Sequence, residues 1–463
     1  MKPKQVIIWL VVLALAAGLY WFSLRSQEQE ETAQDQANRV VALSDPLNVQ
    51  TVELSGQDYP KAVTIQRQDQ KHQWWMQKPV SCLADSLAVG RLIGEVLDAR
   101  IKKRLSGKLD LAQFGLKPPR IKIVLTDRKG AKSTLLVGDI SPTGQYLYAT
   151  RPGSGQVWFL EAKIRGSLAR PLLDLRDKAA LDFVVADVVK FSFQVDKMEK
   201  PLTVVRRRGG EDPRWEFADG GQASPEEVED WLYQVHGLRV IDFVDQGIKL
   251  PEMGLEPPRG RITLHMADGS RRGLILGDKA KTGDERYLRR LAGGPVLVVK
   301  SDSLARLKRS RRDLTERRIW RIKSEDVVAL EIKGGGRELA FAKELGQWRR
   351  TKPPGDQKSG TPGAMFVYDL VDLKWEKILP AGGDYGLDKP RVTIQISLED
   401  TSAQDKKQGN VKVYRLYLGQ QDPQSKLIPA RVEGDERIFG LSPEFLKSIP
   451  GGKDKKKSAG PDS

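Results

Sequence analysis

The sequence predicts an α+β fold: three tandem repeats, each a mainly antiparallel sheet with packed helices, after one N-terminal transmembrane helix. Three observations carry that expectation. The phrase G-L-x-x-P-R is written at Gly115 to Arg120, at Gly254 to Arg259 and at Gly386 to Arg391, 139 and then 132 residues apart. Each copy opens a run of alternating apolar and polar residues, the period of a half-buried antiparallel strand. The chain also begins with nineteen uncharged, mostly apolar residues at positions 6–24.

Recurrence at a long, near-fixed period marks a repeated structural unit. The register extends beyond the phrase: Asp85 and Ser224, Gly138 and Gly277, and Val157 and Val296 each lie 139 apart, and Trp75 and Trp215 lie 140 apart. The third copy keeps the order with looser spacing. Trp348 precedes Gly386 by 38 residues, against 40 from Trp75 to Gly115 and 39 from Trp215 to Gly254. Leu418-Gly419 lies ten residues later than the matching glycine of the other copies, and the polar run 399–410 supplies the excess as a surface loop.

The N-terminus divides into a cytoplasmic stub (1–5), an anchor (6–24) and a polar tether (25–44). As a helix the anchor is about 28 Å long, close to the hydrocarbon thickness of a bilayer. Lys2 and Lys4 precede it and acids follow it, so the positive-inside bias leaves the first residues in the cytoplasm and sends the bulk outward. Ala14-Leu15-Ala16 offers a cleaved signal peptide as the rival. It sits inside the apolar run, however, and Tyr20-Trp21-Phe22 behind it suit an interfacial anchor. The expected location is the bacterial cytoplasmic membrane, single-pass, with the bulk periplasmic or otherwise extracytoplasmic.

Repeats are expected at 45–183, 184–321 and 322–450, with a disordered basic tail at 451–463. Each begins with a hairpin-like strand pair ending near tryptophan: 63–76, 188–217 and 327–350. A helix follows. Ser224-Pro225-Glu226-Glu227 combines a Ser cap, Pro at the first helical position and Glu three residues after the cap. Val228, Trp231, Leu232, Val235 and Leu238 mark its apolar face. Asp85 opens the matching helix, with Leu87, Leu92, Val96 and Leu97; 365–373 is a shorter third version. Gly115, Gly254 and Gly386 supply a backbone conformation other residues resist, and Pro119, Pro258 and Pro390 set the chain into extended structure. A Gly-Asp strand and two further strands complete each sheet, and a helix over about 301–318 joins the second repeat to the third.

Taken together, these features resemble domain-of-unknown-function family 4340: one N-terminal membrane helix, then α+β units with a Trp strand, a helix, a G-L-x-x-P turn and a sheet containing G-D. The resemblance covers nearly all of 45–450. It implies association with gliding-type ABC transport components, and it implies no catalytic residues.

The residues themselves point the same way. His72, His236 and His265 lack metal-ligand spacing, and Cys82, the single cysteine, excludes both an internal disulfide and a Cys-rich zinc site. Cys82 reads as a buried small hydrophobe. No G-x-S-x-G elbow or phosphate loop is written; Gly153-Ser154-Gly155 and Gly334-Gly335-Gly336 read as turns. No catalytic, cofactor or metal site is expected. The formal charge of +16 suggests nucleic acid, but the anchor turns the basic bulk away from the cytoplasm. Residues 301–323 alone carry nine cations against three acids. Arg306, Lys308, Arg309, Arg311, Arg312, Arg317 and Arg318 are therefore candidate contacts for an anionic partner, lipid headgroup or wall polymer. Arg120, Arg259 and Arg391 read either as three equivalent anion points or, the preferred reading, as strand-edge residues that stay solvated or pair with a carboxylate. The expected function is a non-enzymatic, membrane-anchored binding or scaffold protein with envelope partners. Binding of anionic polymer or lipid through 301–323 is the alternative, and an envelope-polymer enzyme the remote one.

Overall fold

The computed structural model describes Trp21 and residues 35–68, 73–195, 198–207, 214–280, 283–354, 360–399 and 411–450. The expected anchor (apart from Trp21), His72, nearly all of the 399–410 insert and the 451–463 tail lie outside these residues. Among the described residues no helix is long and apolar enough to cross a membrane. The chain packs as two compact units, one of residues 1–206 and 229–309, the other of 207–228 and 310–463.

In the first unit, β1 (Val49–Gly56), β2 (Tyr59–Gln68), β3 (Gln73–Lys78), β4 (Cys82–Leu83), β5 (Lys103–Ser106), β6 (Ile121–Asp127), β7 (Lys132–Ile140), β8 (Tyr146–Thr150) and β9 (Gln156–Glu161) form one sheet. Its order is β4-β3-β2-β1-β6-β7-β8-β9-β5, and neighbouring strands are antiparallel. Helix α1 (Ser86–Asp98) starts where Asp85 accepts hydrogen bonds from the Leu87 and Ala88 amides. It buries Ala88, Val89, Leu92, Ile93, Val96 and Leu97 among the inward residues of β1, β2, β6 and β7. Tyr59 closes that core; its hydroxyl donates to the Leu168 carbonyl at 2.8 Å, and burial pushes its pKa up to about 12.

The same unit repeats the plan. Strands β10 (Val188–Val195) and β11 (Leu202–Arg207) precede the hairpin β12 (Arg214–Phe217) and β13 (Gln222–Ala223), which belongs to the second unit. Then come helix α2 (Pro225–His236), β14 (Val240–Val244), β15 (Gly260–Met266), β16 (Arg271–Lys279), β17 (Glu285–Arg290) and β18 (Val296–Lys300). Within the first unit the order β11-β10-β15-β16-β17-β18-β14 reproduces that of the first sheet. Trp231 of α2 stacks on Phe191 and Phe193, with ring centroids 4.6 and 5.1 Å away, and its indole donates to the Leu307 carbonyl at 2.9 Å.

The second unit carries the third sheet. Strands β19 (Val327–Gly334), β20 (Arg337–Glu344), β21 (Gln347–Lys352), β22 (Lys377–Leu379), β23 (Val392–Glu399), β24 (Val411–Leu418), β25 (Ile428–Val432) and β26 (Ile438–Leu441) run β21-β20-β19-β23-β24-β25-β26-β22. Helix α3 (Thr361–Val371) buries Phe366, Val367 and Leu370 against this sheet. The first strands begin at 49, 188 and 327, 139 residues apart both times, and each carries a register shift within its first three residues. From first strand to phrase glycine is 66 residues in the first two copies and 59 in the third, so the looser spacing arises between them.

Several expectations need correction. The opening element is a three-stranded meander rather than a strand pair, and β1 precedes the residues where a strand was expected. The short strands β5, β14 and β22, which close the far edge of each sheet, carried too few alternating residues to be legible. The buried tryptophan of the first repeat is Trp74, not Trp75, since a one-residue slip exchanges the faces of a strand. Leu87 is exposed on α1, and Met365 on α3, which begins four residues earlier than expected. The joining helix over 301–318 is broken: Ser301–Ala305 and Arg311–Leu314 are separate turns. Ser310 accepts from the Asp313 amide while the Asp313 carboxylate accepts from the Ser310 amide, a capping box that starts a new turn in mid-segment. The tether expected over 25–44 also ends early. Val40 and Val41 are buried, and Arg151 donates to the Val40 and Arg39 carbonyls at 2.9 Å. Arg290 holds the Ala180 and Ala179 carbonyls of the second repeat in the same way.

Candidate functional site

The recurring phrase builds a clamp. Gly115, Gly254 and Gly386 all take left-handed backbone conformations, with φ of 67°, 63° and 65°. Arg120 Nε donates to Asp139 Oδ1 at 2.7 Å, and Arg259 Nε donates to Asp278 Oδ1 at 2.7 Å with Nη2 to Oδ2 at 3.1 Å. The Arg259 guanidinium, then Arg286 more weakly, holds the Asp278 carboxyl below the usual carboxylate range against a smaller upward push from burial. The carboxylates lie against the glycines: a Cβ on Gly115 would come within 2.4 Å of Asp139 Oδ2, and one on Gly254 within 2.3 Å of Asp278 Oδ2. A second glycine is needed behind the turn. A Cβ on Gly138, Gly277 or Gly419 would sit 2.0, 2.4 or 2.0 Å from the carbonyl oxygen of Phe114, Met253 or Tyr385. Pro119 and Pro258 form isolated bridges with Leu116 and Leu255 inside the turn.

The third copy keeps both glycines but not the acid, because Gln420 stands where Asp139 and Asp278 stand. Nothing lies within 4 Å of a Cβ on Gly386. Arg391 enters β23 from Pro390 with its amide bonded to the Leu418 carbonyl at 2.8 Å.

The basic segment 301–323 falls in both units. Arg306, Lys308 and Arg309 belong to the first, where Arg309 pairs with Asp230 at 3.4 Å and donates to the Arg306 carbonyl. In the second unit Arg311 pairs with Asp219 and lies 4.0 Å over the Phe217 ring. Arg312 pairs with Glu376, which Arg317 also approaches at 3.7 Å. Arg318 reaches Glu226 at 2.8 Å and Glu316 at 3.4 Å, and Arg321 reaches Glu316 at 3.1 Å. Most of these acids are distant in sequence, so counting charges within the segment overstated its surplus.

One groove of about 160 Å³ brings two of the sequence candidates together. Arg259 and Lys308 line it with Lys279, Arg286, Asp302 and Leu304. Four cations around one carboxylate suit a compact anion. Lys279 and Arg286 were not singled out in the sequence, since one follows the Gly-Asp pair and the other begins a strand.

The remaining chemical candidates are dispersed. His236 is exposed and edge-on to Phe183 at 5.4 Å; burial, more than its cationic neighbours, holds the His265 pKa below the ordinary value. Cys82 packs partly buried against the first core, and burial raises its pKa despite nearby Arg176. Among the described residues no three His, Cys, Asp or Glu side chains are arranged to hold a metal ion.

A family model described as a domain of unknown function, DUF4340, matches residues 74–249 and again 215–380. The chain belongs to the DUF4340 family. The two matches begin on Trp74 and Trp215, the buried tryptophans of the first and second repeats, so the DUF4340 model steps along the chain at the period of the fold. Comparison with curated proteins finds no match.

Proposed function

We propose that this DUF4340 chain is a non-enzymatic binding or scaffold protein of the bacterial envelope. Residues 6–24 hold it in the cytoplasmic membrane with the N-terminus inside, and the repeats work outside, as an accessory of a gliding-type ABC transport complex or a similar assembly. One observation carries the reading: the recurring polar residues are consumed in shaping a turn. Arg120 and Arg259 are spent on Asp139 and Asp278, and the paired glycines on close backbone approach. What a repeat preserves is therefore shape, and a stack of similar sheets offers surface to a partner.

The test is purification of the full chain in mild detergent, with protease accessibility of intact spheroplasts measured alongside. The reading expects a retained envelope partner and cleavage from outside. A chain that purifies only as a bare monomer, or that external protease cannot reach, overturns it.

A further inference from the structure

The far edge of the first sheet differs from its counterparts. Residues 100–108 carry Arg100, Lys102, Lys103, Arg104 and Lys108 with no acid among them, and all four residues of β5 are exposed, Leu105 included. Two of these cations are matched: Arg100 with Asp35 and Lys102 with Glu161 at 3.0 Å. Lys103 lies over the Tyr146 ring at 5.3 Å and Arg104 donates to the Ala37 carbonyl at 2.6 Å, contacts that cancel no charge. Lys108 has no acidic partner among the described residues. Lysine on an edge strand also discourages strand pairing. That need alone does not account for the pattern, because the equivalent strand β14 reads Val240-Ile241-Asp242-Phe243-Val244.

The counterpart strand explains the difference. Phe243 and the following Asp245 receive Arg176, which ends the preceding repeat: its guanidinium lies 3.7 Å from the Phe243 ring centroid and binds Asp245 at 2.7 and 3.0 Å. Strand β5 has no preceding repeat. It borders the chain that comes from the proposed anchor: the Ile101 amide donates to the Asn38 carbonyl at 2.8 Å, and Arg39 bridges Arg100. Only residues 25–34 separate position 24 from Asp35, and ten residues span at most about 35 Å when fully extended.

We propose that the β5 edge, through Lys103, Arg104 and Lys108, rests on the anionic headgroups of the bilayer that holds the anchor. The short chain to Asp35 keeps this edge near the surface, and each cation near an anionic surface is worth about five-fold in affinity, an attraction that salt screens. The inference rests on the anchor reading above and adds which face of the first repeat meets the lipid.

The experiment uses the full chain in nanodiscs of phosphatidylcholine with or without phosphatidylglycerol, carrying a headgroup-attached quencher. A fluorophore is placed at Ser106→Cys, or at Lys61→Cys as a control, each in a Cys82→Ala background. Lys61 is on β2, six strand spacings from β5, about 29 Å. The expected result is stronger quenching at Ser106→Cys than at Lys61→Cys, increased by phosphatidylglycerol. Lys103→Glu with Lys108→Glu, or high salt, should reduce the Ser106→Cys signal by about three-fold or more. Equal quenching at both sites, or quenching that ignores lipid charge, overturns the inference while leaving the anchor intact. Failure of the chain to enter nanodiscs overturns the anchor reading and the inference with it.

Discussion

The clamp makes a comparison that the protein itself has set up. Gly254 and Gly386 have the same φ within two degrees, but Gly254 faces the Asp278 carboxylate and Gly386 faces open space. Alanine at either position costs the left-handed conformation, about 1–2 kcal/mol. At Gly254 it must also push Asp278 aside and loosen its pair with Arg259. Both partners are about half exposed, so that pair is worth no more than about 1 kcal/mol. Gly254→Ala should therefore cost about 1 kcal/mol more than Gly386→Ala. Gly277→Ala should exceed Gly254→Ala, because its Cβ meets the Met253 carbonyl oxygen, which is backbone and cannot swing away. Overpacking of that kind costs about 1–3 kcal/mol. Several repeats in one chain violate two-state unfolding, so the assay is native-state hydrogen exchange read on peptides spanning each turn. Equal costs at Gly254 and Gly386, or a Gly277→Ala milder than Gly254→Ala, would refute the reasoning.

Other consequences can be measured on the same chain. Asp245→Ala strands the buried Arg176 guanidinium and should cost about 3 kcal/mol, seen as a lowered urea midpoint of the first unit, whereas Asp435→Ala, which removes an exposed pair with Arg437, should change little. Glu161 is flanked by Lys163 and Lys102, whose hydrogen bonds lower its pKa to about 2. A depressed carboxylate pKa means the stabilisation is present above about pH 4.5 and lost as pH falls towards 2; exchange of the β9 amides should speed up across that window, and Glu161→Gln should remove the dependence. Trp231→Phe loses the hydrogen bond to the Leu307 carbonyl and part of the stack on Phe191 and Phe193; a loss of about 2–3 kcal/mol is expected in the exchange of β10, and a loss below 1 kcal/mol would show that the indole is not the centre of that core.

What the sequence disclosed followed how far each signal spreads along the chain. The threefold plan was legible because glycines with no room for a Cβ recur at a fixed spacing, and a clash with backbone leaves no substitute. The long strands and α2 were legible through periodicity and the Ser224-Pro225 start. The strands β5, β14 and β22 were not, since two to five residues hold too little alternation and their pairing is decided by β9, β18 and β26 far along the chain. The broken 301–318 segment failed for a related reason: its leucines fit one helix, but the reciprocal Ser310 and Asp313 bonds restart it. Charge was the least legible property. Nothing near Arg311, Arg312 or Arg318 in sequence announces Asp219, Glu376 or Glu226.

Internal repetition changes how a site should be sought in such a chain. Residues that recur are those the fold itself demands, so they carry little information about ligand or partner; Gln420 shows that even the clamp acid is dispensable once both glycines remain. Function is better sought where equivalent positions differ. By that criterion Arg120 and Arg259 recede. The β5 edge rises, because Lys103, Arg104 and Leu105 occupy the places where the second repeat has Asp242, Phe243 and Val244. The groove of Arg259, Lys279, Arg286 and Lys308 rises for the same reason, since the first repeat has Ile140 and Ala169 where the second has Lys279 and Lys308. Repeats that were only spacers would have no cause to diverge at their exposed edges while holding their turns constant.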